Sequence, residues 1–137
     1  MKKTIFLTLL GSSFLFGHTL TVNIIDIENN RGQILIGLYN QEEGFRETNM
    51  TYKKGVLTTL DDKNVTYHFM DIPYGEYAIS LFHDENNNGE LDSNFIGIPQ
   101  EGYGFSNNVR PVLRPASFKE AKFMLNSDLN ITIKMGY

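Results

Sequence analysis

Apolar and polar residues alternate at period two in several short runs along the chain. Leu20-Thr21-Val22-Asn23-Ile24 is one such run, and Ile34, Ile36 and Leu38 repeat the pattern after Arg31-Gly32. Period two marks strands that bury one face. An antiparallel pair joined at Asn29-Asn30-Arg31-Gly32 is therefore expected. Further strands are predicted over Val56 to Leu60, Val65 to Met70, Tyr77 to Phe82, Lys122 to Leu125 and Leu129 to Met135, each bounded by Asn, Asp, Gly or Pro. Seven short strands in about 120 residues predict an all-β fold, a seven- to eight-stranded antiparallel β-sandwich. Glu42 to Tyr52 is the one segment read as helical, a turn or two between strands. No internal repeat or low-complexity linker divides the chain, so residues 18–137 are read as one domain.

Phe69-Met70-Asp71-Ile72-Pro73-Tyr74-Gly75-Glu76-Tyr77-Ala78-Ile79 reads as strand, tight turn and strand. Pro73 presets φ, Gly75 is expected to supply a positive φ, and Tyr77 restarts the alternation. The F-x-x-I-P-x-G-x-Y pattern resembles the hairpin of transthyretin-like and collagen-adhesin B-type sandwiches. That resemblance implies a transthyretin-like or immunoglobulin-like Greek key.

The first residues follow another rule. Met1-Lys2-Lys3 is positive, Thr4 to Phe16 is uncharged and largely apolar, and Gly17 is small, the layout of a secretory signal peptide. About 13 residues is short for a span that needs roughly 20. Residues 1–17 are therefore expected to be cleaved near Gly17-His18, leaving a periplasmic or secreted protein with no transmembrane segment. The whole chain has 12 Lys+Arg, 16 Asp+Glu and a formal charge of -4. Without Lys2 and Lys3 the exported part stands at -6, which argues against a nucleic-acid partner. Cysteine is absent, so disulfides, thiolate metal sites and cysteine nucleophiles are excluded.

His83-Asp84-Glu85-Asn86-Asn87-Asn88-Gly89-Glu90-Leu91-Asp92 carries the most specific chemistry. Asp84, Asn86 and Asn88 fill positions 1, 3 and 5 of a calcium loop, Gly89 position 6, the Glu90 carbonyl position 7 and Asp92 position 9. Alternating oxygen side chains on a curling backbone converge on one point, and glycine permits the reversal. Position 12 is Phe95 rather than the bidentate glutamate of a calcium hand. Glu101 is the nearest acid to complete the set, with Asp71 or water as alternatives. The competing reading is an Asx-rich turn that binds nothing. A weak Ca2+ site made by Asp84, Asn86, Asn88, Glu90, Asp92 and Glu101 is the expectation, with Asp84 and Asp92 both placed in the loop and Leu91 anchoring it.

Asn94 to Pro115 shows no sustained period and contains Gly97, Gly102, Gly104 and three prolines. Long ordered loops are usually functional. Tyr103, Phe105 and Arg110 form a candidate ligand surface, with Glu101, Ser106, Asn107 and Asn108 as polar partners. The alternative, which the cost of exposing aromatics favours, is a plug over one end of the sandwich. The run His83-Asp84-Glu85-Asn86 to Asp92, then Gly97-Ile98-Pro99-x-Glu101-Gly102-Tyr103-Gly104-Phe105-Ser106-Asn107-Asn108, then Pro115-x-Ser117-Phe118-x-x-Ala121, resembles the bacterial family of domain of unknown function 2141. The resemblance implies an exported β-sandwich without an assigned activity and supplies no catalytic residue.

His18, His68 and His83 are the only histidines, and neighbouring strand residues His83 and Asp84 should point to opposite faces. A nucleophilic triad is not expected from them. Hydroxyisourate hydrolases share the transthyretin-like sandwich but end in Tyr-Arg-Gly-Ser, whereas this chain ends Lys134-Met135-Gly136-Tyr137. A membrane barrel is disfavoured because the strands are short. The reading is an exported, non-enzymatic, monomeric binding or structural module whose partner is a cell-envelope protein or a glycan. Its alternative is a cell-envelope hydrolase acting between the Asp84 to Asp92 loop and Glu101.

Overall fold

A computed structural model describes residues 17–58 and 63–137. The leader expected over residues 1–17 lies, except for Gly17, outside the described residues. Among the described residues no helix is long and apolar enough to cross a membrane. The strands are β1 (His18–Ile25), β2 (Gln33–Tyr39), β3 (Lys53–Leu57), β4 (Val65–Ile72), β5 (Gly75–Asp84), β6 (Tyr103–Phe105), β7 (Phe123–Leu125) and β8 (Leu129–Lys134). They form two sheets, ordered β4-β1-β8 and β3-β2-β5-β6, with β7 also paired to β5. The protein is an all-β sandwich, as the alternation predicts.

The pairing differs from expectation in three places. Strands β1 and β2 do not form a pair: β1 lies between β4 and β8, and β2 lies between β3 and β5. The Asn29 to Gly32 turn therefore carries the chain from one sheet to the other. Likewise β4 and β5 belong to different sheets, so Pro73-Tyr74 makes an arch rather than a hairpin. Gly75 is not in the left-handed region; Asp71 is, at φ 56°, because the reversal is made before Pro73. Third, β1 and β8 run parallel, from Leu20↔Leu129 to Ile25↔Lys134, so the sandwich is not wholly antiparallel.

Leu20, Val22, Ile24, Ile34, Ile36, Leu38, Ile79, Leu81 and Ile133 meet between the sheets and are essentially excluded from solvent. Each such side chain contributes roughly 1.5–3 kcal/mol by burial. A second apolar cluster covers the other face of the β2/β5 sheet and contains Tyr39, Phe45, Ala78, Phe105, Ala116 and Ala121. Strand β5 is thus covered on both sides, which is why its residues are buried almost without alternation.

Helix content also departs from the sequence reading. Glu42 to Tyr52 holds only a 3-10 turn at Thr48–Met50, while a short helix α1 forms at Phe118–Ala121. Ser117 caps α1 by accepting from Glu120 N, and the Glu120 carboxylate accepts from Ser117 N at 3.0 Å. The Arg114 guanidinium clamps the same carboxylate, and these donors hold Glu120 at a pKa of about 2. The outer edge of β8 is closed by one side chain: Asn108 donates to Thr132 O at 3.1 Å and accepts from Lys134 N at 2.8 Å. A capped edge cannot recruit another strand there.

Candidate functional site

Strand β5 delivers Asp84 to the end of the second sheet, and the chain then curls through Glu85 to Asp92. Asp84 belongs to the strand and is fully buried, not a loop residue as its spacing suggests. Its carboxylate accepts from Gln33 Nε2 at 2.9 Å, Asn88 N at 3.1 Å and Gly89 N at 2.8 Å. Asn87 (φ 57°) and Gly89 (φ 79°) take the left-handed conformation that turns those amides inward. Asn86 Oδ1 accepts from Asn88 N, and Asn88 Oδ1 from Glu90 N at 3.0 Å. These are successive Asx turns.

Asp92 closes the loop. Its two oxygens accept from the side-chain amides of Asn86 at 2.7 Å and Asn88 at 2.8 Å. Glu101, almost fully buried, bridges both ends of the loop by accepting from Glu85 N at 3.0 Å and Asp92 N at 3.1 Å. Burial pushes the Glu101 carboxyl above its usual range, the two backbone donors oppose that, and the charges of Asp92 and Asp84 add to it. The acids predicted from spacing are thus brought together. No Lys or Arg forms an ion pair with any of them among the described residues. No three carboxylates or imidazoles among the described residues are placed to hold an ion by themselves. A cation here would need the amide oxygens of Asn86 and Asn88 and the carbonyl of Glu90 as well. Donors of that kind, all oxygen, suit calcium.

Residues the sequence reading passed over fasten this loop. Asn29 Nδ2 donates to Glu85 Oε1 at 2.6 Å, Arg31 pairs with Glu85 Oε2 at 3.2 Å, and Gln33 reaches Asp84. Gly32, at φ 68°, lies so close that a Cβ would overlap the Asp84 carbonyl oxygen. Nothing in the local pattern distinguishes Gln33 from any other solvent-side strand position. His83 is fully buried, with Nε2 2.5 Å from Arg31 O and Nδ1 2.6 Å from Tyr137 Oη. Since a carbonyl only accepts, Nε2 carries a proton to it. Both ring nitrogens are engaged within the protein.

Beside the loop lies a groove of about 1010 Å³. Phe82, Tyr103 and Phe105 form its floor, and Gly89, Glu90 and Leu91 of the acidic loop form one wall. Ile96, Ile98 and Leu113 also line it and are exposed. Phe95 and Val112, next to them in the chain, are exposed too. The run Phe95-Ile96-Gly97-Ile98 amid Asn and Gly was a readable signal for this patch.

The three residues expected to present a ligand surface have different fates. Phe105 is buried against Phe45, with ring centroids 6.1 Å apart. Tyr103 is half-buried, packs edge-on to Phe105 at 5.9 Å, and carries the Arg110 guanidinium 4.0 Å from its ring centre. Arg110 also donates to Tyr103 O at 3.0 Å. The polar partners named with them are occupied in tying strands together: Ser106 with Ile79 N and Ala121 O, Asn107 with Glu120 O and Lys122 O, and Asn108 with β8.

These features define a β-sandwich with an acidic Asx loop at one end and an apolar groove along it. The chain belongs to the family described as uncharacterized protein conserved in bacteria, domain of unknown function 2141, whose model matches residues 22–134. No curated protein and no solved structure matches it.

Proposed function

We propose that the protein is an exported, non-enzymatic binding module whose acidic loop takes one weakly held calcium ion and thereby stiffens a wall of the groove. The observation that carries this reading is the gathering of Asp84 and Asp92 of the Asp-x-Asn-x-Asn-Gly-x-x-Asp segment with Glu101, which bridges its ends, with no cationic side chain paired to them among the described residues. Like charges brought together in part-buried surroundings repel unless a counter-charge arrives. Asp84, Asn86, Asn88, the Glu90 carbonyl and Asp92 would hold the ion, with Glu101 fastening the two ends of the loop. Calcium offers a charge that the amide groups of Asn86 and Asn88 supply only as dipoles.

The partner reading favours an apolar segment of a cell-envelope protein over a glycan. Sugars stack on open aromatic faces, whereas Arg110 covers Tyr103 and Phe105 is buried. The aliphatic rim of Ile96, Ile98 and Leu113 suits apolar side chains instead.

Thermal unfolding of the purified protein in about 2 mM calcium and in chelator tests the ion. Affinity in the extracellular range of about 10⁻⁴–10⁻³ M gives roughly 0.6–1.8 kcal/mol of added stability. The melting temperature should rise by about 2–7 °C, magnesium should do less, and Asp92→Asn should remove the shift. Superimposable curves in calcium and chelator would leave the loop as an Asx turn only.

A further inference from the structure

Three asparagines stand two positions before a threonine with no proline between: Asn49-Met50-Thr51, Asn64-Val65-Thr66 and Asn130-Ile131-Thr132. That spacing is what an oligosaccharyltransferase reads, the hydroxyl holding the acceptor segment while the asparagine amide reacts. No other Asn-x-Ser/Thr triplet occurs in the sequence. Each of the three also has an acid two positions upstream: Glu47, Asp62 and Asp128. With 16 acidic residues in 137, three out of three is expected by chance about twice in a thousand such chains. A transferase with a cationic side chain beside that position would pair with the upstream carboxylate and so favour these three segments. The family is a bacterial one.

We infer that this protein is an N-linked glycoprotein, carrying oligosaccharide on Asn49 and Asn64 and, to a lesser extent, on Asn130. The inference rests on the export reading above, since the transfer occurs on the far side of the cytoplasmic membrane. The co-reactant is an oligosaccharide joined to a polyprenyl pyrophosphate. Asn Nδ2 attacks the anomeric carbon, the N–C1 bond forms as the C1–O bond to the pyrophosphate breaks, one amide proton leaves to a base, and polyprenyl pyrophosphate departs.

The fold ranks the three sites. Asn49 is exposed in the Thr48–Met50 turn between β2 and β3, on the wall of the groove, and its side chain makes no hydrogen bond among the described residues. The Glu47 side chain beside it is exposed and forms no ion pair among the described residues. Asn64 is exposed immediately before β4 and its side chain makes no hydrogen bond among the described residues, while Val65 and Thr66 pair with Ile24 and Asn23 of β1 and Thr66 Oγ1 donates to Asn23 Oδ1 at 3.1 Å. The Asn49 segment is a connection that can be drawn into an enzyme without breaking a sheet, whereas use of Asn64 requires only the first residues of β4 to fray from β1. Asn130 is different. It sits within β8, its amide oxygen accepts from Asn23 Nδ2, and the upstream Asp128 carboxylate is held by Thr19 N at 2.8 Å. Its modification requires β8 to be unpaired from β1, so it competes with folding.

The test is expression of the full chain in bacterial cells holding an acid-requiring oligosaccharyltransferase and its lipid-linked oligosaccharide, with a catalytically dead transferase as control. Intact-mass spectrometry of the periplasmic fraction should show one and two added glycans with the active enzyme only. Asn49→Gln and Asn64→Gln should each remove one, and both asparagines are exposed, so folding is not at stake. Glu47→Gln should lower occupancy at Asn49 roughly tenfold, the loss of one charge-assisted contact, and leave Asn64 unchanged. Periplasmic protein of unmodified mass beside the active transferase would overturn the inference while leaving export standing. Protein confined to the cytoplasm would overturn both.

Discussion

Replacing Asp84 by alanine tests how the acidic loop is held, independently of any ion. The carboxylate is buried at the end of β5 and accepts from Gln33 Nε2, Asn88 N and Gly89 N at 2.8–3.1 Å. Hydrogen bonds to a charged group contribute about 1.5–3 kcal/mol each. Their sum is not the expected loss, for two reasons. Asn88 N keeps a second acceptor, Asn86 Oδ1 at 3.3 Å, and the Gly89 amide is on an exposed residue that water can reach. Removing a buried charge near Glu101 also relieves a desolvation cost. The net expectation is about 2–4 kcal/mol, read by urea unfolding in chelator so that calcium contributes nothing. With an unfolding entropy of about 2.1 cal/mol/K per residue over about 120 residues, the melting temperature should fall by about 8–16 °C. Asp84→Asn keeps one acceptor, and Gln33 can rotate its amide to meet the new donor, so that variant should lose only about 1 kcal/mol. A loss below about 1 kcal/mol for the alanine variant, with an unchanged denaturant slope, would refute the claim that these hydrogen bonds hold the loop.

Other outcomes follow from neighbouring contacts. Gly32→Ala should destabilise by about 3 kcal/mol or more, because a left-handed φ is combined with overlap on the Asp84 carbonyl; Gly75→Ala, whose Cβ would meet Tyr77 Cε2 at an ordinary 3.4 Å, should change stability by less than about 1 kcal/mol in either direction. Comparable melting temperatures for the two variants would contradict the assigned backbone conformations. The raised Glu101 carboxyl favours protons in the folded state, so its stabilising contribution is full below the ordinary glutamate value of about 4.3 and is lost as pH rises through the folded value. In chelator, the wild type should therefore gain stability relative to Glu101→Gln as pH is lowered from 7 toward 5, and parallel pH profiles would exclude this. Ser117→Ala removes the cap of α1 and should cost about 1 kcal/mol by denaturant titration; a change under a few tenths would show that the capping box is dispensable.

Much of the local structure was legible before the fold. Most strand positions followed from alternation because one buried face imposes period two on side chains, as in Leu20-Val22-Ile24 and Ile34-Ile36-Leu38. Strand β3 is an exception, at Lys53–Leu57 where the pattern predicts Val56 to Leu60, and residues 59–60 of that expectation lie outside the described residues. The Asx loop was legible for a similar reason: Asp84, Asn86 and Asn88 accept from their own backbone two to five residues on, so their spacing is their geometry. Strand β6 was not legible, since Tyr103-Gly104-Phe105 is only three residues long and is held by β5 and by the Tyr103↔Gly136 bridge.

Only the tertiary structure decided which strands are neighbours. Alternation fixes which face of a strand is apolar, but β1 satisfies it equally beside β2 or between β4 and β8, and the choice is made by how the two sheets close over a shared core. Burial of both faces of β5 has the same origin, because the second cover is assembled from Phe45, Phe105, Ala116 and Ala121, distant in sequence. The site divides in the same way. The sequence by itself set the acids and amides of the loop in order, whereas the placement of Asp84 inside the protein, the Glu101 bridge and the Gln33 contact depend on residues brought in from outside the loop. Long-range contacts of this kind carry no local periodicity, so packing alone determines them.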